Sequence, residues 1–244
     1  MRNSQLFTSV PPTIGLAIWA TAFMQGRETL ERSVDSLSDS PRFVQTLLGE
    51  ESLAIHISNL RREGASGLRA HFPITGNTDG IIGSDEFVDF ALSLGSVITT
   101  KNGTPKGLHE GQSHWMSTIR HKQPVDIKYS WQDMDSQLSN LLHETSEDLE
   151  AFDLVSNDLK ARDILIDLEH DISIQHYPDD QPTRVTFLIG RLLRVLATTE
   201  LAIEKNVNTF SATKQSMWSL PIVDLNRSCR NGLSAVVNYA LNKT

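Results

Sequence analysis

With a single cysteine, Cys229, the chain can form no internal disulfide, and one thiol in 244 residues suits a reducing compartment. Cys229 sits in a segment of helical period, where a small buried thiol is the expectation and a reactive nucleophile the sharper alternative. Aromatic residues are sparse and scattered, without the interleaved basic and aromatic run of an RNA-binding sheet. Basic residues are in the minority, 22 against 30 acidic, for a net charge of −8. A surface of that sign repels phosphate backbones and anionic lipid, so nucleic acid and membranes are not expected partners. Arg227 with Arg230 is too small a basic cluster to reverse this. Also missing are a G-x-S-x-G nucleophile elbow, a G-x-G-x-x-G turn, a P-loop and a His-Glu-x-x-His pair.

The apolar run Ile14 to Met24 has the length of a signal-peptide core and is too short to span a bilayer. Pro11-Pro12 precedes it, and Ile14, Ala17, Ile18, Thr21 and Ala22 recur at i, i+3, i+4 spacing. The spacing predicts a helix buried on one face and stopped at Gly26, in a cytoplasmic protein, rather than an export signal.

Short helices follow over Glu28 to Leu37 and Glu51 to Glu63, with an apolar turn at Arg42 to Leu48 between them. Leu68 to Phe72 reads as extended. Ser84 is a candidate N-cap for a helix from Asp85 to Leu94. Val97 to Thr100 is β-branched, Asn102-Gly103 is a strong hairpin signal, and Trp115 to His121 is a further strand candidate. From Trp131 onward the pattern is helical, with helices to Phe152, over Leu159 to Ile172 and from Thr183 to beyond Ile203. A short helix from Ser211, an interruption at Pro221 and a final helix to about Leu241 complete it. The expected class is α+β and predominantly α-helical: a small three- or four-stranded sheet with packed helices, then a C-terminal helical bundle. Residues 1–124 form the α/β part and 125–244 the helical part, the two sharing one core.

Histidines suggest metal binding, but Glu169, His170 and Asp171 point about 100° apart on a helix and cannot converge on one ion. His143 with Glu147 has i, i+4 spacing, which is also that of an ordinary exposed pair. No metal and no cofactor is expected. His109, Glu110, His114 and His121 lie around the hairpin; without a partnered nucleophile they read as polar residues of an exposed loop with Gly107 and Gly111.

The segment Gly76-Asn-Thr-Asp-Gly80-Ile-Ile-Gly83 precedes a helix, where backbone N–H groups could receive an anion. Arg69 on the strand before it and Arg61 or Arg62 on the preceding helix could face this loop. The candidate ligand set is therefore Arg62, Arg69, Gly76, Asn77, Gly80 and Gly83, and no catalytic residues are assigned.

Three stretches carry a resemblance. They are Ile14-Gly-Leu-Ala-Ile-Trp-Ala-Thr-Ala-Phe-Met-Gln-Gly-Arg27, then Leu60-Arg-Arg-Glu-Gly-Ala-Ser-Gly-Leu-Arg69 running into Phe72-Pro-Ile-Thr-Gly76, and the apolar helix with Arg184 to Arg194. Together they resemble an uncharacterised family of actinobacterial proteins of similar length. Members of that family carry Pro-x-Pro-Gly-Asp-Pro in the loop, where this chain has Pro73-Ile-Thr-Gly76-Asn-Thr. The resemblance implies a cytoplasmic protein that keeps its N-terminus, with no established activity to carry over.

Two functional expectations follow. The first is a non-catalytic interaction or regulatory protein that presents a groove to a protein partner or small ligand. The second is an enzyme or sensor for a small anionic metabolite at the Gly76 to Gly83 loop. The oligomeric state stays open.

Overall fold

In a computed structural model of the chain, residues 7–37, 40–81, 86–111, 113–119, 131–150, 159–209 and 212–239 are described. Gly83, Ser84, Asp85, His121, Phe152, Ser211 and Leu241, named above, lie outside them, as does the side chain of Glu147.

The first helix, α1 (Pro12–Met24), begins with proline in its first turn, where a missing N–H costs nothing. It ends at Gly26, whose φ of +74° lets the Arg27 amide close on the Ala22 carbonyl at 2.9 Å. The helix is buried on all sides rather than on one: Leu16 and Ala20 are as inaccessible as Ile14 and Ile18. α1 packs on the sheet, on α2 (Leu30–Asp35) and on the last helix, so no face is left to water. Among the described residues, no helix is long and apolar enough to cross a membrane.

The expected three- or four-stranded sheet is overturned: six strands form one mixed sheet in the order β2-β1-β6-β5-β4-β3. Two of the misread strands are β1 (Phe43–Thr46) and β2 (Gly49–Ser52), an antiparallel hairpin where an apolar turn over Arg42 to Leu48 and the start of a helix at Glu51 were expected. Val44 alone of the apolar residues there is buried; Leu47 and Leu48 are 84% and 101% exposed at the hairpin turn. Counting apolar residues therefore pointed inward at side chains that face out. β5 (Lys106–Glu110) was likewise read as exposed loop, because Gly107 and its charged neighbours carry little strand signal. Its backbone pairs with β4 (Val97–Lys101) and β6 (Trp115–Ile119), and Leu108 and His109 are buried. At Asn102-Gly103 the hairpin takes the expected left-handed conformations, with φ of 61° and 64°.

β1 joins β6 in parallel, so the first hairpin docks beside the last strand of the β3 (Gly67–His71) to β6 meander. Register sets the two faces. Val44, Glu51, Trp115, Leu108 and Ile98 share one face, which meets the main core. Arg69, His71, Thr99, Gly107 and His109 share the other. On that second face lies α4 (Glu86–Leu94), whose Phe87 ring sits 2.5 Å from where a Cβ on Gly107 would stand. Only glycine permits this approach.

α3 (Leu53–Arg62) starts at Ser52, which accepts the Ile55 amide at 3.3 Å, and buries Leu53, Ile57 and Leu60 in the main core. The C-terminal half consists of α5 (Trp131–Glu150), α6 (Leu159–Ile174), α7 (Thr183–Thr209) and α8 (Ala212–Tyr239). A break at Pro221 was expected; α8 instead runs through it as one helix. The buried stripe Ile222, Leu225, Cys229, Leu233 and Val236 explains this. Burying each large side chain contributes about 1.5–3 kcal/mol, together more than the roughly 3 kcal/mol a mid-helix proline costs. One apolar cluster runs from Phe7 to Val237 and includes side chains of the sheet, α1, α3, α7 and α8.

Candidate functional site

Arg62 is exposed at the end of α3 and donates to the Asn59 side-chain oxygen. Arg69 is half-buried on β3, on the face that carries α4, whereas α3 lies over the opposite face. The two arginines thus stand on opposite sides of the sheet. Gly76 and Gly80 adopt positive φ in the turn after β3, and Asn77 donates to Asn231 of α8 at 2.7 Å. The structure brings Gly76, Asn77 and Gly80 together against α8; it does not bring Arg62 to them.

What this turn presents to the core is a carboxylate. Asp79, with φ of 52°, is 5% exposed; its Oδ2 accepts the Phe72 amide at 2.9 Å and the Ser234 hydroxyl. Burial raises its carboxyl from 3.8 to about 6. His71 reaches the Asp79 carbonyl at 2.9 Å through Nδ1 and the Thr99 hydroxyl at 2.8 Å through Nε2. Close by, Arg230 and Glu200 form a buried ion pair at 2.5 Å. Arg230 also donates to the carbonyls of Pro73 at 3.4 Å and Gly95 at 3.0 Å, and Glu200 accepts the Phe7 amide at 2.7 Å. Ser234 to Asp79, and Arg230 to the Pro73 and Gly95 carbonyls, are two separate sets of bonds that together form a seam stapling α8 to the sheet side. Cys229 is fully buried beside it and its thiol is pushed up to about 12, which removes it as a nucleophile.

An open site lies at the other end of the sheet. A cleft of about 370 Å³ opens between α3 and the β1–β2 hairpin. Its floor is the strip of sheet that α3 leaves uncovered: Thr46, Ser117, Ile119 and Lys106, all on the face of Val44 and Trp115. Its wall is a polar stripe of His56 and Asn59 on α3 and Glu63 at its C-cap, at spacing that places them on one face. Its rim is Leu47, Leu48, Gly49 and Glu50, with Glu51 just inside.

The wall is held by charge. Glu51 meets His56 Nδ1 at 2.6 Å and accepts the Asn59 amide at 3.0 Å, while Lys106 donates to Glu63 at 2.8 Å. Glu50 is paired with His114. Burial lowers the His56 pKa, so at neutral pH the ring is uncharged and places its proton on Nδ1, toward Glu51. Nε2 is then an acceptor, and it has no partner. His56 itself is 1% exposed, too enclosed to serve as a general base for a substrate in the cleft. Glu50 stands opposite Gln45 in register, so its side chain lies on the other face with His114; Glu51 and Glu63 against Lys106 leave the cleft acidic. Among the described residues, no group of three or more His, Cys, Asp or Glu side chains could hold a metal ion.

None of Thr46 to Glu51 belonged to the site expected from the sequence. The available signal was the Leu47-Leu48-Gly49 string, which fits an exposed hairpin turn as well as a buried one.

Fold and site together define an α+β protein in which one mixed sheet carries an acidic, leucine-rimmed cleft at one end and a helix-stapled edge at the other. Residues 13–123, from α1 through β6 and just under half of the chain, match the family model described as Rv1486c-like protein, N-terminal domain. No curated protein and no solved structure matches the chain.

Proposed function

We propose that this is a non-catalytic, cytoplasmic interaction protein that presents the cleft between α3 and the β1–β2 hairpin to a partner protein. The reading rests on Leu47 and Leu48, which stand 84% and 101% exposed on the rim of a cleft large enough to take side chains. Two leucines held in water are unfavourable for the free protein, and covering each contributes about 1.5–3 kcal/mol to a complex. Ile119, 61% exposed on the cleft floor, adds to the same surface. The N-terminal likeness to an uncharacterised family agrees with the resemblance to actinobacterial proteins and assigns no activity.

Selection of peptides from a displayed random library on the full chain tests this. The expected result is a set of binders lost on Leu47→Ser/Leu48→Ser, a change that leaves thermal unfolding within a degree or two. Binders indifferent to that change, or none at all, would overturn the reading.

A further inference from the structure

Resting on that reading, we infer that the partner segment is extended and basic, with a lysine or arginine entering the cleft between apolar neighbours that cover Leu47 and Leu48. Several independent features converge on this chemistry. The side-chain charges that face the cleft are Glu51 and Glu63 against Lys106 alone, with His56 neutral, so an incoming cation is attracted and an anion repelled.

Hydrogen-bonding capacity points the same way. Glu51 and Glu63, on the wall, are acceptors only. A donor-rich group matches such a wall, and a guanidinium or ammonium is the donor-rich group that a protein segment supplies.

Strand order supplies the conformation. β2 is the last strand of the sheet, so its outer edge has no strand beside it among the described residues. Glu50 and Gly49 lie on this edge and on the cleft rim alike. A segment laid along β2 would gain main-chain hydrogen bonds and send alternate side chains toward the cleft. A second copy of the chain fits poorly, because each copy carries a net charge of −8 and would meet this acidic rim with like charge.

The test uses three displayed peptide libraries with the same Leu, Ile and Val positions. The intervening positions are Lys and Arg in one, Ser and Gln in the second, Asp and Glu in the third. The full chain should enrich binders from the basic library alone. Their affinity should fall on the order of tenfold between 50 mM and 500 mM salt, and severalfold in Glu51→Gln/Glu63→Gln. If that double variant unfolds, Glu63→Gln alone and the salt titration give the same readout on an intact fold. Equal enrichment from the neutral library, with binding still lost in Leu47→Ser/Leu48→Ser, would overturn the charge inference while leaving the interaction reading intact. No leucine-dependent enrichment from any library would overturn both.

Discussion

Asn238 satisfies both main-chain groups of Ala70 on the outer edge of β3: its Oδ1 accepts the amide at 2.9 Å and its Nδ2 donates to the carbonyl at 2.8 Å. A single carboxamide on α8 thereby takes the place of a neighbouring strand. Thr21 of α1 does the same at Leu68, donating to its carbonyl at 3.3 Å and accepting its amide at 2.8 Å. Asp79 accepts the next amide along, that of Phe72. The β3 edge is thus closed by side chains, whereas the β2 edge at the opposite end of the sheet has no such cover among the described residues.

Asn238→Ala leaves both Ala70 groups without their partner, although Ser234 can still reach the carbonyl from 3.3 Å. The expected loss is about 1–3 kcal/mol, since an unsatisfied buried group costs its desolvation. Urea unfolding checks this; an unchanged midpoint would mean that water replaces the amide at no cost.

Asp79 makes stability fall as pH rises. Its folded pKa, about 6, lies above its ordinary 3.8, so the folded state binds the proton more tightly than the unfolded chain does. Its contribution is most favourable below pH 4, declines between pH 4 and 6, and is level above that. The full difference is about 3 kcal/mol. Asp79→Asn keeps the shape and suits the positive φ, so it should remove this decline. Other groups titrate in both proteins, and the difference between wild type and variant from pH 4 to 7.5 isolates Asp79. A pH-independent difference would refute the assignment.

The Glu200–Arg230 pair lies in the core, and burial disfavours the charge on both partners. Glu200→Gln or Arg230→Met alone leaves the other charge uncompensated, at an expected cost of about 3–5 kcal/mol. The double variant should cost clearly less than the sum of the two. Additive losses in thermal or urea unfolding would show that the two side chains act separately.

Two glycines with similar φ should respond differently to alanine. At Gly103, φ is +64° and a Cβ would stand 2.6–2.8 Å from backbone atoms of residues 63–65. At Gly76, φ is +86° with nothing within 4 Å. Gly76→Ala should cost about 1–2 kcal/mol of backbone strain alone. Gly103→Ala should cost more, because the hairpin and the end of α3 must move apart. Equal losses would mean that the hairpin yields freely.

Local signals made several elements legible before the structure. α1, α3 and β4 follow apolar spacing and β-branched runs, and the Asn102-Gly103 turn follows from two residues that tolerate positive φ. Signals of this kind fail where an element is made by its neighbours. β5 is a strand because β4 and β6 flank it and because Phe87 fills the space that Gly107 leaves. α8 passes through Pro221 because its buried stripe outweighs one lost hydrogen bond.

The candidate sites diverged for a related reason. Arg62 and Arg69 are seven positions apart in the chain, yet a sheet comes between them. Glu51 and Lys106 are far apart in the chain and line one cleft.

The amino-acid order alone determined that the chain would be mostly helical, acidic and without an internal disulfide, because helical period, charge and thiol count are properties of neighbours or of totals. Only the tertiary structure decided that Leu47 and Leu48 face water, that Asp79 is buried, and that an acidic cleft exists at all. Exposure and dielectric environment depend on which distant segments pack together, and short-range pattern carries little information about that choice.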